Sequence, residues 1–369
     1  MKFTTPVIKK NQPDDTYKFL PLPPPSGKYP YHLSLSAIQP IVSENQLVFH
    51  LVGDTGGLLN PSFQRLVSEE MTRQYRNCPD PEQQPQFLYH LGDIVYHHGE
   101  ASQYAKQFFT PYKNYPGPVF AIAGNHDSDV NPDSESQYHS LDAFKAVFCD
   151  TEPHTVAFSG GSSRKSMVQP NIYWTLETPV VTLIGLHSNV PKFGMITAEQ
   201  RAWFVEELKA ADLLRPHKAL IVCLHHSPFS ADVNHGSSIP MIEFLEGVFE
   251  ETGIKPDLVL SGHVHNYQRF QKHYPDGKPL TYVVCGSGGF DELHDIADVE
   301  DQRFTSESPL FDNVSLEKAF TEKNGFLKLS IKREEQGLSI TGYYYIIPHD
   351  AEKDDAPVAS LSDHFTVVC

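Results

Sequence analysis

Side chains that commonly bind metal ions follow five separate apolar runs in this 369-residue chain. The candidate ligands are Asp54, Asp93, Tyr96, Asn125, His225, His263 and His265. A single Asp or Asn at the end of a strand is ordinary turn chemistry. Five such clusters in one chain instead predict a shared site, because ligand sites in layered α/β proteins gather at the carboxyl ends of strands.

The candidate ligands divide into two sets that share one carboxylate. Two cations held close together need a ligand that bridges them, and a buried cluster of this charge needs cations to neutralise it. We assign the bridge to Asp93. The first metal would take Asp54, Asp93, Tyr96 and His265. The second metal would take Asp93, Asn125, His225 and His263. His263 and His265 are two residues apart, so a loop must turn each toward a different metal.

Strands and helices must bring these strand ends together. Strands are predicted at 46–52, 86–91, 118–123, 172–177, 180–186, 220–224, 258–260, 282–285, 325–331 and 338–347. Helices are predicted at 61–76, 101–109, 141–148, from 197 and from 240. The helix from 197 has a capping box made by Thr197 and Gln200. Strands that alternate with helices predict a layered α/β fold.

The chain is predicted to form one main domain with elaborations. Residues 1–45 form a Pro-rich arm that should be extended. The domain spans residues 46–348, with insertions at 128–170 and 290–324, and residues 349–369 form a C-terminal tail. Residues 291–317 carry nine acidic side chains and a single Arg, which predicts a solvated excursion.

Composition limits the partners of the chain. The 29 Lys and Arg residues against 46 Asp and Glu residues give a net charge of −17, which repels the phosphates of nucleic acids. The five cysteines lack a Cys-x-x-Cys spacing, so neither a disulfide framework nor a zinc ribbon is indicated. No signal peptide is seen and no apolar run reaches the ~18 residues of a membrane span. We therefore expect a cytoplasmic protein with no membrane partner; its oligomeric state is not predicted.

The motifs resemble those of the calcineurin-like metallophosphoesterases, and within them the purple acid phosphatase branch. They are GDTG (53–56), GDIVY (92–96), GNHD (124–127), HHSP (225–228) and GHVH (262–265), and the likeness covers about residues 46–269. Most relatives have Asp-x-His in the first motif, whereas this chain has Gly56 at the position of that His. Tyr96 then supplies the replacement ligand, as it does in the purple branch.

The resemblance implies a fold, an activity and cofactors. The fold would be a four-layer αββα sandwich of two mixed β-sheets flanked by helices. The activity would be hydrolysis of phosphomonoesters, by attack of a metal-bound hydroxide at a binuclear centre on a small phosphorylated substrate. Fe(III) is expected at the Tyr96 site, because a phenolate is a hard ligand, and Fe(II), Zn or Mn at the other site. His126 would hydrogen-bond the phosphate or protonate the leaving group, and His235 could share that task.

The resemblance leaves several alternatives open. A phosphodiesterase of the same fold, acting on a cyclic nucleotide or a glycerophosphodiester, would use the same metals, and a non-catalytic metal-binding scaffold would keep the fold without turnover. The double histidine is ambiguous, since His225 fits the strand-end pattern and His226 fits a His-x-Pro pattern. We assign the ligand to His225, because Phe229 and Ser230 then match the aromatic-Ser pair of relatives.

Overall fold

Two large mixed sheets face each other in the computed structural model, which describes residues 1–335, 337–348 and 358–369. The strands are β1 (Ile8–Lys9), β2 (His32–Ser34), β3 (Gln46–Val52), β4 (Leu88–His90), β5 (Val119–Ala121), β6 (Trp174–Glu177), β7 (Val181–Gly185), β8 (Ala219–Leu224), β9 (Leu258–Ser261), β10 (Tyr267–His273), β11 (Pro279–Cys285), β12 (Phe304–Thr305), β13 (Val314–Phe320), β14 (Gly325–Glu334), β15 (Gly337–Ile346) and β16 (Ser360–Val368). The helices are α1 (Ser62–Arg76), α2 (Ala101–Tyr104), α3 (Asn125–Ser128), α4 (Asp142–Phe148), α5 (Ala198–Asp212) and α6 (Ile239–Thr252).

Parallel strands lie in the middle of the larger sheet and at one end of the smaller sheet. The eight-stranded sheet has the order β13-β10-β11-β9-β8-β7-β6-β2, and the six-stranded sheet has the order β16-β15-β14-β3-β4-β5. Strands β3, β4 and β5 are parallel in the smaller sheet, and β7, β8, β9 and β11 are parallel in the larger one. The loops after β3, β4, β5, β8 and β9 carry the predicted ligands, so parallel pairing brings them to one edge of each sheet.

The core lies in three layers between four layers of secondary structure. In β4, Tyr89 points between the sheets and stacks on Trp174 of the opposite sheet, with ring centroids 6.2 Å apart. The neighbouring Leu88 points the other way and belongs to the cluster that includes Met71 of α1 and Phe144 of α4. Residues of α5 and α6 cover the far side of the larger sheet and belong to the same cluster as Tyr89 and Trp174. The alternation of strand side chains therefore builds the predicted αββα sandwich.

Helix ends follow the sequence signals at α5 and depart from them at α2. The hydroxyl of Thr197 accepts a hydrogen bond from Gln200 N (3.1 Å), so Thr197 caps α5 as predicted. The Gln200 side chain does not complete the predicted capping box, because it bonds the backbone of His187. The helix predicted at 101–109 is α-helical only to Tyr104, and Ala105–Phe109 continues it as a π-helical turn. The wider turn lies where Gln107 reaches the backbone of Tyr96, which is a tertiary contact that periodicity does not reveal.

Three peripheral segments are more ordered than the sequence predicts. Strand β2 of the N-terminal arm pairs with β6 at the edge of the larger sheet. The acidic stretch 291–317 is only partly a solvated excursion, because Ala297 and Phe304 are buried against Val7 and β13 begins within it. The tail prediction is wrong for β16, which pairs with β15, whereas residues 349–357 lie outside the described residues.

The thiols and helices are consistent with the composition. All five cysteines are free, and Cys223 and Cys285 are buried within strands β8 and β11. In the described parts of the chain, no helix is both long and apolar enough to cross a membrane.

Candidate metal centre

Three of the predicted ligands form a first group after β3, β4 and β9. The Tyr96 hydroxyl lies 3.4 Å from Asp54 Oδ1 and 3.4 Å from His265 Nε2. His265 Nε2 lies 3.7 Å from Asp54 Oδ1. All three side chains are buried. The first group thus places a carboxylate oxygen, a phenol oxygen and an imidazole nitrogen around one point.

Four predicted ligands form a second group after β4, β5, β8 and β9. The Asn125 Oδ1 atom lies 3.1 Å from His225 Nε2 and 3.0 Å from His263 Nδ1. Asp93 Oδ2 lies 3.2 Å from His225 Nε2. The ligand atoms of Asp93, His225 and His263 all lie within 4.8 Å of one another. These distances suit ligands that share one ion.

Each histidine of the two groups is oriented by a backbone carbonyl. His225 Nδ1–H donates to Leu91 O (2.8 Å), His263 Nε2–H donates to Lys192 O (3.0 Å), and His265 Nδ1–H donates to Glu292 O (3.0 Å). In neutral imidazole the second nitrogen is then a bare acceptor. These nitrogens face the oxygens of Asn125, Asp93 and Asp54, and either a proton or a metal ion can lie between such atoms. The donor set therefore fits metal ions, and the carbonyl partners are typical of ligating histidines.

The charges of the groups are strongly coupled. Burial first, and then the charge of Asp93, raises the pKa of Asp54 well above its usual range. Burial alone would raise the pKa of Asp93 too, but the charges of His225 and His126 and the hydrogen bonds from both together lower that pKa. Burial opposes protonation of His225, yet Asp93 and Asp54 raise its pKa to about 9. Without metals, a proton on His225 therefore partly neutralises these buried carboxylates.

Asp93 acts on both groups. Its Oδ2 atom belongs to the second group, and its charge also raises the pKa of Tyr96, after the larger effect of burial. Its Oδ1 atom accepts a hydrogen bond from His126 N (2.9 Å). A carboxylate in this position is the candidate bridge between two ions.

The loops hold their ligands in uncommon backbone conformations. The φ angles of Asp54, Asp93 and His263 are 57°, 53° and 67°, in the left-handed region. Asp54 N donates to Gly92 O (3.0 Å), which ties the first loop to the second. The buried Asp127 accepts from Ile94 N, Val95 N and Gly124 N at 2.9–3.1 Å, which ties the second loop to the third. The strained residues are thus fixed by neighbouring loops.

The space beside Gly56 is occupied by the Tyr96 ring. A Cβ atom at position 56 would lie 2.8 Å from Tyr96 Cδ2 and 2.3 Å from Gln107 Oε1. Gln107 holds Tyr96 by accepting from its N–H (3.0 Å) and donating to its carbonyl (2.9 Å). A larger residue at 56 would therefore displace Tyr96, as the predicted exchange of ligands requires.

The two histidines at 225 and 226 have different surroundings. His225 contacts Asp93 and Asn125, as described above. His226 Nδ1 lies 2.7 Å from Ser188 Oγ, and its buried Nε2 has no hydrogen-bond partner. The geometry of the second group therefore includes His225 and favours it as the ligand.

The predicted catalytic histidines line a cavity of about 350 Å³ over both groups. Other residues of its wall are Lys192, Asn234, Phe290 and His294. His126 Nδ1–H donates to His97 O (2.7 Å), and its ring centroid lies 4.5 Å from that of Tyr96. The centroid of His235 lies 4.2 Å from that of His263. Both histidines are therefore close to the ligand groups without belonging to them.

Sequence reasoning missed several residues that build the site. Asp127 was part of the GNHD motif, which gave a signal for it. Gln107 orients Tyr96 from a helix, and no local pattern marks it. Asp232 and His294 lie beside His235, although no motif joins them.

Comparisons with known proteins agree with this arrangement. A family model described as calcineurin-like phosphoesterase matches residues 47–267, which is more than half of the chain. Purple acid phosphatases 21 and 22 of Arabidopsis thaliana are 24% and 26% identical to the chain over 177 residues. Those matches cover 47% of this chain and only 36% of each relative, so the chain matches about a third of their length.

Solved structures show the same fold at low identity. A structure titled "GAP50 the anchor in the inner membrane complex of Plasmodium" has a TM-score of 0.54 and 13% identity, and the match covers 88% of this chain and 89% of that chain. A structure titled "Structure of PhoD" has a TM-score of 0.51 and 13% identity, covering 94% of this chain and 71% of that chain. At these identities the likeness concerns the fold alone.

Proposed function

Because the chain belongs to the calcineurin-like phosphoesterase family, we propose that it hydrolyses small phosphomonoesters at a site that binds two metal ions. One observation carries the proposal. Three histidines donate one ring N–H to a backbone carbonyl and turn the other nitrogen toward oxygen acceptors, which is the arrangement of histidines that bind metal ions.

The two ligand groups supply different donors. The first group offers Asp54, Tyr96 and His265, and the second offers Asn125, His225 and His263, with Asp93 available to both. We propose iron(III) in the first group, since a phenolate is a hard anionic ligand, and Fe(II), Zn or Mn in the second. Bound metals supply Lewis-acid stabilisation of phosphoryl oxygens and lower the pKa of water.

The chain's own residues would then orient the ester and move its protons. Hydrolysis breaks the bond between phosphorus and the ester oxygen, adds the oxygen of water to phosphorus, and leaves an alcohol that needs a proton. We assign that proton to Nε2 of His126, whose Nδ1–H remains on His97 O during the transfer. His235 and the half-buried Lys192 are placed to hydrogen-bond phosphoryl oxygens from the cavity wall. The small cavity suits a small ester.

Hydrolysis of a panel of substrates tests the proposal. Metal-loaded protein is assayed on para-nitrophenyl phosphate and on bis-para-nitrophenyl phosphate, with metal content measured on the same sample. We expect the monoester to have the larger kcat/KM. A larger value for the diester would replace the monoesterase proposal by the phosphodiesterase alternative, with cyclic nucleotides and glycerophosphodiesters as the next substrates.

The non-catalytic alternative has its own outcome in this assay. A protein with this fold is described in its title as an anchor, so the fold does not by itself establish turnover. Hydrolysis of neither ester by protein that holds its metals would contradict both enzyme proposals and favour a metal-binding scaffold.

A further inference from the structure

A second cluster of metal-binding side chains lies beside the two ligand groups. It comprises Asp232, His235 and His294, which we call the rim cluster. Asp232 Oδ2 lies 3.0 Å from His294 Nδ1 and 3.7 Å from His235 Nδ1. All three ligand atoms lie within 4.8 Å of one another. The three residues come from the loops after β8 and β11, so the fold rather than a local motif assembles them.

The two ring nitrogens of the rim cluster lack hydrogen-bond partners. Nδ1 of His235 and Nδ1 of His294 are both buried and unpaired, although the Asp232 carboxylate is near. The contact of His235 is too long for a hydrogen bond (3.7 Å), and that of His294 (3.0 Å) lacks the required direction. Buried polar atoms in folded proteins are normally paired. Two unpaired nitrogens that converge on one carboxylate oxygen indicate a missing common partner.

The Asp232 carboxylate is fixed in place by the backbone. Its Oδ1 atom accepts hydrogen bonds from His235 N and Gly236 N, both at 2.8 Å. Its Oδ2 atom accepts a longer one from Asn234 N (3.2 Å). The carboxylate is wholly buried and has no Lys or Arg partner among its ion pairs in the described residues. Its charge therefore faces the two histidines.

The spacing and chemistry of the rim cluster match a divalent metal. Bonds of ~2.0–2.1 Å in a tetrahedral zinc site separate ligand atoms by about 3.3 Å. The distances of 3.0 Å and 3.7 Å from Asp232 Oδ2 lie on either side of that value. One carboxylate with two imidazoles is a common ligand set for divalent transition metals that keep open positions.

We propose that the rim cluster binds a third divalent cation, with zinc as the representative ion, through Asp232 Oδ2, His235 Nδ1 and His294 Nδ1. The amide nitrogen of Asn234 lies 3.2 Å from His294 Nε2, and metal binding through Nδ1 requires this amide to be turned so that its oxygen accepts from Nε2–H. The amide oxygen and nitrogen are interchangeable in such assignments, so Nε2–H can donate to the oxygen.

A cation in the rim cluster would assist the proposed hydrolysis, but its binding does not depend on that activity. His235 and His294 line the cavity above the two ligand groups, so a cation there adds positive charge to the cavity wall. Coordination through Nδ1 also keeps His235 Nε2 protonated, as a permanent donor to a phosphoryl oxygen. Zinc binding by the rim cluster can be measured whether or not the protein hydrolyses an ester.

Zinc stoichiometry tests this inference. Full-length protein is stripped with a chelator, dialysed to equilibrium against micromolar free zinc, and analysed for zinc per chain. We expect His294→Gln to bind one zinc fewer than the wild type, and Asp232→Asn to show the same loss. His139→Gln is the matched control, because His139 is exposed and lies outside the rim cluster and both ligand groups. It should bind as many zinc ions per chain as the wild type.

The difference between variants separates this inference from the proposed function. If the two-metal site did not bind zinc, the wild type and all variants would hold fewer zinc ions per chain. His294→Gln would still hold one zinc fewer than the wild type. Equal counts in wild type and His294→Gln would overturn the inference. If neither variant folds, the anomalous difference map of zinc-loaded wild-type crystals decides: a peak among the three ligand atoms supports the inference, and its absence overturns it.

Discussion

The two ligand groups, which we propose are joined by Asp93, differ in chemistry and in spacing. In the first group the atoms of Asp54, Tyr96 and His265 are 3.4–3.7 Å apart, and two of the three are oxygens that can carry negative charge. In the second group the contacts are 3.0–3.2 Å, and the ligands besides Asp93 are an amide and two imidazoles, which bind metals in their neutral forms. Hard anionic donors favour a trivalent ion, and neutral nitrogen and amide donors favour a divalent one. With Asp93 as the proposed bridge, one carboxylate would join two metal sites of unlike chemistry.

We expect the largest effect from removal of the Asp93 carboxylate. Asp93→Ala should lower the content of both metals and reduce kcat/KM at least about a thousandfold, because bound metals contribute several kcal/mol to transition-state stabilisation. Metal analysis and hydrolysis of para-nitrophenyl phosphate measure both effects. Asp133→Ala, in an exposed loop, is the control. A variant at position 93 that keeps its metals and its activity would refute the shared carboxylate.

The next effect should be confined to the second group. His225→Gln should lose one metal per chain and keep the metal of the first group, because Asp54, Tyr96 and His265 are untouched. Its activity should fall by about a hundredfold or more, which corresponds to roughly 3 kcal/mol.

His226→Gln is the matched control for that change. His226 Nδ1 lies against Ser188 Oγ, and its ring packs on the His263 ring with centroids 4.2 Å apart without facing Asn125 or Asp93, so both metals should remain. Loss of a metal from the variant at 226, and not from the variant at 225, would reverse the assignment of the ligand.

A smaller effect on activity should accompany a change of colour in the first group. With iron(III) bound, the Tyr96 phenolate should give a charge-transfer band in the visible spectrum, and Tyr96→Phe should abolish it. Activity should fall less than for Asp93→Ala, because Asp54 and His265 remain. Absorption spectra of iron-loaded protein measure the band. Wild-type protein from its natural host that is colourless and holds only zinc or manganese would contradict iron in the first group.

The smallest expected effect concerns the support of Tyr96. Gln107→Ala removes two buried hydrogen bonds to the Tyr96 backbone and should cost about 1–3 kcal/mol of unfolding free energy. The charge-transfer band should weaken or shift, while the metal of the second group stays. Chemical denaturation and absorption spectra test both parts, with the exposed Gln137→Ala as control. An unchanged stability and spectrum would show that Gln107 does not position Tyr96.

The two groups were predictable from sequence because their residues follow strands. Apolar runs mark the strands, and parallel pairing must bring their carboxyl ends to one edge, so Asp54, Asp93 and Asn125 could be placed together without coordinates. The replacement of a histidine by Tyr96 was predictable for a related reason. Gly56 leaves room where a side chain would otherwise stand, and the Tyr96 ring fills that room.

The contact of Gln107 with Tyr96 and the rim cluster were not predictable from sequence, because both depend on tertiary contacts. Gln107 contacts the Tyr96 backbone from the π-helical turn that follows Tyr104, and no pattern in the sequence distinguishes that turn from an ordinary helix. His294 meets Asp232 across two loops with no shared motif. Strand β16 was predicted as a tail, yet its Asp363 is buried against Arg269 and Tyr267, contacts that local polarity does not reveal.

The metal dependence of hydrolysis tests directly whether activity requires two bound metal ions. Protein stripped by a chelator is assayed on para-nitrophenyl phosphate while metal is added back in measured equivalents. We expect no hydrolysis before addition and full activity only when both ligand groups are filled. Hydrolysis that survives complete removal of metal, or that reaches its maximum with a single metal per chain, would contradict the two-metal site.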